Sequence, residues 1–178
     1  DFISLQFEYA CNAGMRGTAP HLDALARTQN SVLAIESKCT EFLQPKAVTF
    51  AEAYERIQDL RRDSPWFSLV RDAALCRRFA HLDAAQLVKH YLGLAKVFAT
   101  GRVVLLYLFW EPLNAAEIGE FVNHRYELEE FARVVSGDRV EFAYQSYLEL
   151  WREWDAATNA PSHRQHLGRL RDRYSVNL

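Results

Sequence analysis

Hydrophobic and polar positions change period several times along the chain, and each change predicts an element. Residues 20–39 read Pro-His-Leu-Asp-Ala-Leu-Ala-Arg, a four-residue polar break, then Val-Leu-Ala-Ile-Glu-Ser-Lys-Cys. That is a β-hairpin with Gln29-Asn30 at its tip, and the unbroken apolar run Val32-Leu33-Ala34-Ile35 marks a strand covered on both faces. Before it, Ser4 to Ala13 reads as a helix closing at Gly14, with Glu8 set among Leu5, Phe7 and Tyr9. After it, helix starts are well marked. Thr49-x-x-Glu52 opens a helix to about Arg62, and Ser64 with Pro65 opens another through Phe79. Asp83-x-x-Gln86 opens a third that ends near Gly101. Asn114-x-x-Glu117 opens a long helix to about Val135, striped by Ile118, Phe121, Val122, Leu128, Phe131 and Val135. Ser146-x-x-Glu149 and Ser162-x-x-Gln165 open two more. Between the helices, Val103 to Phe109 is a strongly β-prone run and Val140 to Tyr144 a shorter alternating strand. The predicted architecture is α/β: a small mixed sheet flanked by helices on both faces. It forms one domain over residues 1–178, with a helical insertion at about 49–79 and helices at the C-terminal end.

The hairpin carries the chemistry. With Gln29-Asn30 at the tip, paired positions sum to 59, so Asp23 stands opposite Glu36. Directly opposed side chains lie roughly 5 Å apart, where like charges repel. Two carboxylates at that spacing call for a cation, and oxygen ligands suit Mg²⁺, which takes one or two protein carboxylates and keeps several waters. Lys38 is two residues past Glu36, hence on the same face. An Asp, a Glu and a Lys around a hard metal make a hydrolytic site for phosphodiesters. A slip of one residue would send Glu36 to the other face, and the plain alternative is a strand pair with solvated edge charges. The apolar run before Glu36 argues against that alternative, because a charge ending a buried strand needs a partner.

Composition narrows the function classes. At 178 residues, 49% hydrophobic and 25% charged, the chain is globular and large enough for a core. No run of 18 apolar residues exists, so no membrane span is expected, and the first residues lack the pattern of a signal peptide. Cys11, Cys39 and Cys76 are odd in number and lack metal-ligand spacing; they read as buried free thiols in a reducing cytoplasm. A net charge of −2 excludes a generic polycation, although 17 Arg outnumber 4 Lys and Arg suits phosphate forks. No phosphate-binding GxxxxGK[ST] loop is present, so no ATP-driven step is expected.

The hairpin Asp23, the Glu36-Ser37-Lys38 element and the helix beginning Gln86-Leu-Val-Lys-His-Tyr together resemble the PD-(D/E)XK nuclease superfamily over roughly residues 1–110. Pro20 stands three residues before Asp23, and the residue four after Gln86 is His90, with the Tyr at 91. The layout Gly-x-x-Pro-His-Leu-Asp before the hairpin and Pro-Lys-x-x-x-Phe after it looks most like restriction-endonuclease-like proteins. The resemblance implies a metal-dependent DNA nuclease, a restriction or defence endonuclease, using Mg²⁺ with Mn²⁺ able to substitute. It implies that Asp23 and Glu36 hold the metal and that Lys38 orients or helps deprotonate water and faces the scissile phosphate. Glu8 is a candidate further metal contact or else a solvated helix residue. Gln86 either orients Lys38 or a metal-bound water, or serves only as a cap.

Other residues stay open. His21 shares the Asp23 face and Lys46 leaves the hairpin beside it, so both are candidate substrate contacts. His163-x-x-His166 has no acidic or Cys partners for zinc. Arg164, Arg169, Arg171 and Arg173 form a candidate phosphate-contacting face, and Arg61-Arg62 and Arg77-Arg78 belong to the insertion, where substrate-specific contacts often reside. Trp110, Trp151 and Trp154 are expected mostly in the core. The rival functions are an inactive nuclease-like module that binds nucleic acid or protein, a DNA-repair exonuclease, and a helical interaction domain whose hairpin merely resembles the motif. A homodimer stays open, with the long helix at 115–135 as its interface.

Overall fold

The computed structural model describes residues 2–14, 19–45 and 63–178. Five strands form one sheet in the order β1-β2-β3-β4-β5, with β1 Phe2–Ala10, β2 His21–Thr28, β3 Ser31–Lys38, β4 Arg102–Phe109 and β5 Val140–Ser146. The first three are antiparallel; β3, β4 and β5 run parallel. Helices α1 Pro65–Arg71, α2 Ala73–Cys76 and α3 Ala84–Val97 lie between β3 and β4. α4 Gly119–Val134 lies between β4 and β5, and α5 Tyr147–Ala157 and α6 Pro161–Tyr174 end the chain. Both parallel connections step the same way across the sheet, so right-handed crossovers bring α3 and α4 over one face. The core fills the space between that face and the helices: Val103, Leu105, Tyr107 and Phe109 of β4 meet Leu87, Tyr91, Leu94, Leu128 and Phe131. Trp66 of α1 stacks on Tyr91 at 4.7 Å and meets Phe131 edge-on.

The expected hairpin forms, with Ala24↔Ile35, Leu25↔Ala34, Ala26↔Leu33 and Arg27↔Val32 all summing to 59. The N-terminal helix does not form. Residues 2–10 are an edge strand paired with β2, and the alternation of Ile3, Leu5, Phe7 and Tyr9 with Ser4, Gln6 and Glu8 is the period that fits it. Phe2, Ile3, Leu5 and Phe7 are exposed there. The helix expected from Ser64 to Phe79 is broken at Asp72, whose Oδ1 accepts from the amides of Ala74 and Leu75 and starts a separate short turn. Asn114 opens only a short 3₁₀ turn, and α4 begins at Gly119. The Asn114 side chain instead bonds the main chain of Leu178. α6 starts at Pro161 with no side-chain cap, not at Ser162. Gly101, at φ +83°, turns the chain into β4 rather than ending α3. Three expected caps are present among the described residues, the first being Ser64, whose hydroxyl accepts from the Trp66 amide at the start of α1, which Pro65 leads. Asp83 accepts from the Gln86 amide, and Ser146 and Glu149 make both bonds of a capping box. Trp154 is 49% exposed while Trp151 is buried, and Cys39 is exposed where Cys11 and Cys76 are buried. The helix expected from Thr49 to Arg62, with Lys46 and Arg61-Arg62, lies outside the described residues. Among the described residues, no helix is long and apolar enough to cross a membrane.

Candidate active site

The ladder between β2 and β3 ends at Ala24↔Ile35, and the two strands carry the acidic residues just beyond that point. Asp23 fills the gap in the ladder: its Oδ2 accepts from the Ser37 amide at 2.6 Å. Glu36 is 2% exposed. Its Oε1 takes the Lys38 ammonium at 2.6 Å and the Gln86 side-chain amide at 2.7 Å. Its Oε2 faces His90 Nε2 at 3.1 Å, off the angle of a hydrogen bond. Three elements therefore converge: β2 with Asp23, β3 with Glu36 and Lys38, and α3 with Gln86 and His90. The Gln86 backbone amide donates to the Asp83 cap while its side chain donates to Glu36, so the side chain serves Glu36 and not a capping box.

The electrostatics follow from burial and charge pairing. Burial pushes the Glu36 carboxyl up, but His90 and Lys38 together outweigh it and hold it below the usual carboxylate range. Burial lowers Lys38, yet Glu36, with Glu41 and Asp23, lifts it above the ordinary lysine value, so it stays charged at neutral pH. Asp23 goes the other way: burial raises it, the Ser37 amide lowers it, and the charges of Glu36 and Glu8 add to the rise.

Glu8 belongs to β1, not to a helix. The flanking pairs Phe7↔Ala24 and Tyr9↔Leu22 set it beside Asp23. Its φ of +51° is in the left-handed region, uncommon for a side-chain-bearing residue within a strand. Glu8 and His21 are both exposed; neither joins the Glu36 contacts. Beyond the predicted residues, Ser37 Oγ and the Tyr147 hydroxyl are hydrogen-bonded at 2.6 Å, linking the first turn of α5 to the strand of Glu36 and Lys38. Tyr107, the β4 neighbour of Glu36, meets buried His124 Nε2 at 3.1 Å. His90 and Tyr147 were missed by sequence reading. The first could have been found by its i, i+4 spacing from Gln86, which shares a helical face. For Tyr147, local sequence offers no comparable signal.

The donor set suits a hard cation better than a soft one. Asp23 and Glu36 offer carboxylate oxygens, Glu36 Oε2 is buried without a hydrogen-bond partner, and a cation would offset both the burial that raises Asp23 and the Glu36 charge that adds to it. Among the described residues, no three His, Cys, Asp or Glu side chains converge into a ready-made metal cage. A cation here would therefore rest on two carboxylates and water, which is ordinary for Mg²⁺. The His163 and His166 pair lines a groove of about 420 Å³ between α5 and α6 with Trp154, Ala157, Thr158 and Leu167. On α6, Arg171 is bound to Asp155 and to the Trp151 carbonyl, and Arg164 to the Thr158 carbonyl. Two of the four candidate phosphate contacts on that helix thus serve the fold.

A family model described as "Restriction Endonuclease associating with ARP" matches residues 1–175. No curated protein and no solved structure matches the chain.

Proposed function

The chain belongs to the family of restriction endonucleases associating with ARP, and on that premise we propose that it is a metal-dependent DNA endonuclease of the PD-(D/E)XK type. The observation that carries the reading is the convergence of Lys38 and Gln86 on one oxygen of the buried Glu36 carboxylate, at 2.6 and 2.7 Å, with Asp23 held on the adjoining strand. Asp23 and Glu36 would hold Mg²⁺ or Mn²⁺ through carboxylate oxygens. When bound, the cation supplies a more acidic water and offsets charge on the phosphate. Lys38 offers a charged ammonium to the scissile phosphate and orients the attacking water. Gln86 fixes the Glu36 carboxylate. His21, at the exposed start of β2, and Lys46 are proposed contacts to the DNA backbone. Glu8 is a proposed water-mediated contact to the cation. The three free thiols agree with a cytoplasmic setting, and the family's description extends the proposal to an association with ARP.

The test is cleavage of supercoiled plasmid and of linear single-stranded DNA with Mg²⁺ or Mn²⁺. Wild type should nick plasmid only with metal, and Lys38→Ala and Asp23→Ala should each lose about 100-fold, the scale of removing one group that stabilises transition-state charge. Digestion confined to free ends would make the protein an exonuclease. Neither cleavage nor metal binding by calorimetry would leave a nuclease-like scaffold used for binding.

A further inference from the structure

His90 has no part in the function proposed so far. It lies one helical turn beyond Gln86 on the same face of α3, is fully buried, and holds Nε2 3.1 Å from Glu36 Oε2. Gln86 donates to the opposite oxygen, Oε1, at 2.7 Å. We propose that His90 is a positioning residue for Glu36: with Gln86 it forms a two-point clamp that fixes the rotation of the carboxylate from one face of α3. The proposal rests on the nuclease reading and names a residue that reading does not use.

The physical need is specific. The terminal torsion of a glutamate is soft and roughly two-fold, so one anchored oxygen leaves the second free to swing. Two anchors on a rigid helix, one for each oxygen, remove that freedom. An Nε2–H attracts a carboxylate whether or not the ring is charged. The competing explanation is a histidine that simply fills the core. Against it, neither ring nitrogen of His90 has a hydrogen-bond partner of good geometry among the described residues, so an imidazole buried for packing alone leaves its polarity uncompensated, and Nε2 is the nitrogen brought to within 3.1 Å of a carboxylate oxygen. The contact to Glu36 is the polar interaction that offsets its burial.

The distance from α3 to β3 is itself set by packing. Asp83 fixes where the helix starts. Three amides of the preceding turn, those of Ala80, His81 and Leu82, donate to the buried Glu127 carboxylate. Gly93, three residues past His90, lies so close to Cys11 that an added Cβ would meet its backbone at 2.6–2.7 Å. The helix therefore sits as near the strands as main chain allows, and His90 is delivered to Glu36 by the fold rather than by its own flexibility.

The experiment compares wild type, Asp23→Asn, His90→Leu, His90→Gln and His90→Asn as full chains. Mn²⁺ affinity by calorimetry, plasmid nicking with kcat and KM separated, and a thermal melt are recorded for each. Removing a side chain that orients a metal ligand commonly costs 10- to 100-fold in metal affinity or activity. His90→Leu should lose about 10-fold in Mn²⁺ affinity and about 10- to 100-fold in kcat, with KM for DNA little changed. His90→Gln, whose amide nitrogen reaches where Nε2 stood, should recover most of both. His90→Asn, whose nitrogen falls nearer Nδ1, should not. Should His90→Leu fail to fold, the contrast between Gln and Asn still decides. Equal behaviour of Gln and Asn, or wild-type Mn²⁺ binding by His90→Leu, overturns the clamp and leaves the nuclease reading standing. A wild type that binds no Mn²⁺ and matches Asp23→Asn overturns both.

Discussion

A single buried imidazole makes the fold sensitive to mild acid. His124 is fully buried on α4, stacked on Phe42 at 3.8 Å, with Nε2 on the Tyr107 hydroxyl. Burial, with His81 and Arg125 adding positive charge, pushes its pKa down to about 3. The unfolded chain, with an ordinary histidine near 6.5, binds a proton that the folded one refuses. Stability from this group is present above about pH 6.5 and falls as pH drops from there toward 3, by about 2 kcal/mol between pH 7 and 5. Urea unfolding of wild type at pH 7 and pH 5 should show that loss, and His124→Phe should remove most of it; equal slopes in the two proteins would contradict the account. This residue left no mark in the sequence, because a histidine becomes titration-relevant through what closes over it. Asp23, Glu36 and Lys38 were legible for the opposite reason. The tip at Gln29-Asn30 and the apolar run after it determine the register locally, and the observed ladder keeps the predicted sum.

At the scale of elements, α3 is the part that brings the helix to the hairpin, and its fit depends on one glycine. Gly93→Ala places a methyl group against the Cys11 main chain, which is backbone and cannot swing aside. Overpacking of that kind costs about 1–3 kcal/mol. Because α3 must back away from the strands, Gln86 and His90 retreat from Glu36 together. The expected outcome is a lower melting temperature accompanied by weaker Mn²⁺ binding by calorimetry. A destabilised protein with unchanged Mn²⁺ affinity would show that α3 relaxes without moving its clamp. The start of α3 was readable from Asp83 and Gln86 because capping is local. β1 was misread although its apolar residues alternate, because the partner strand that gives that alternation its meaning, β2, pairs with it only after ten intervening residues. Asn114 failed as a cap because the C-terminal segment claims its side chain, a long-range contact no local pattern encodes.

Across the whole molecule, Arg125 is one of the ties between the sheet and its last helices. Arg125 of α4 pairs with Glu111, just after β4, and reaches Glu149 in the first turn of α5 at 3.2 Å. Its guanidinium lies over the Phe109 ring, 5.1 Å from the centroid. Glu111 is largely buried, so Arg125→Met would leave that carboxylate without its cation where solvent compensates it only in part. Breaking a buried pair from one side costs about 3–5 kcal/mol; since Arg125 is partly exposed, about 2–3 kcal/mol is the expected loss. Replacing both partners, as in Arg125→Met with Glu111→Gln, should recover much of it, because no unpaired charge then remains. The pH dependence has a definite sign. Burial raises the Glu149 carboxyl, but the Ser146 cap and Arg125 outweigh it and hold it low. Its stabilisation is therefore present above the unfolded value of about 4.3 and is lost as pH falls through the lower folded one. Denaturant melts of wild type, single and double variants at pH 7 and pH 3.5 test this: the single variant's deficit should shrink in acid. A deficit that stays constant across that range would mean Arg125 acts through its packing on Phe109 and not through its charge.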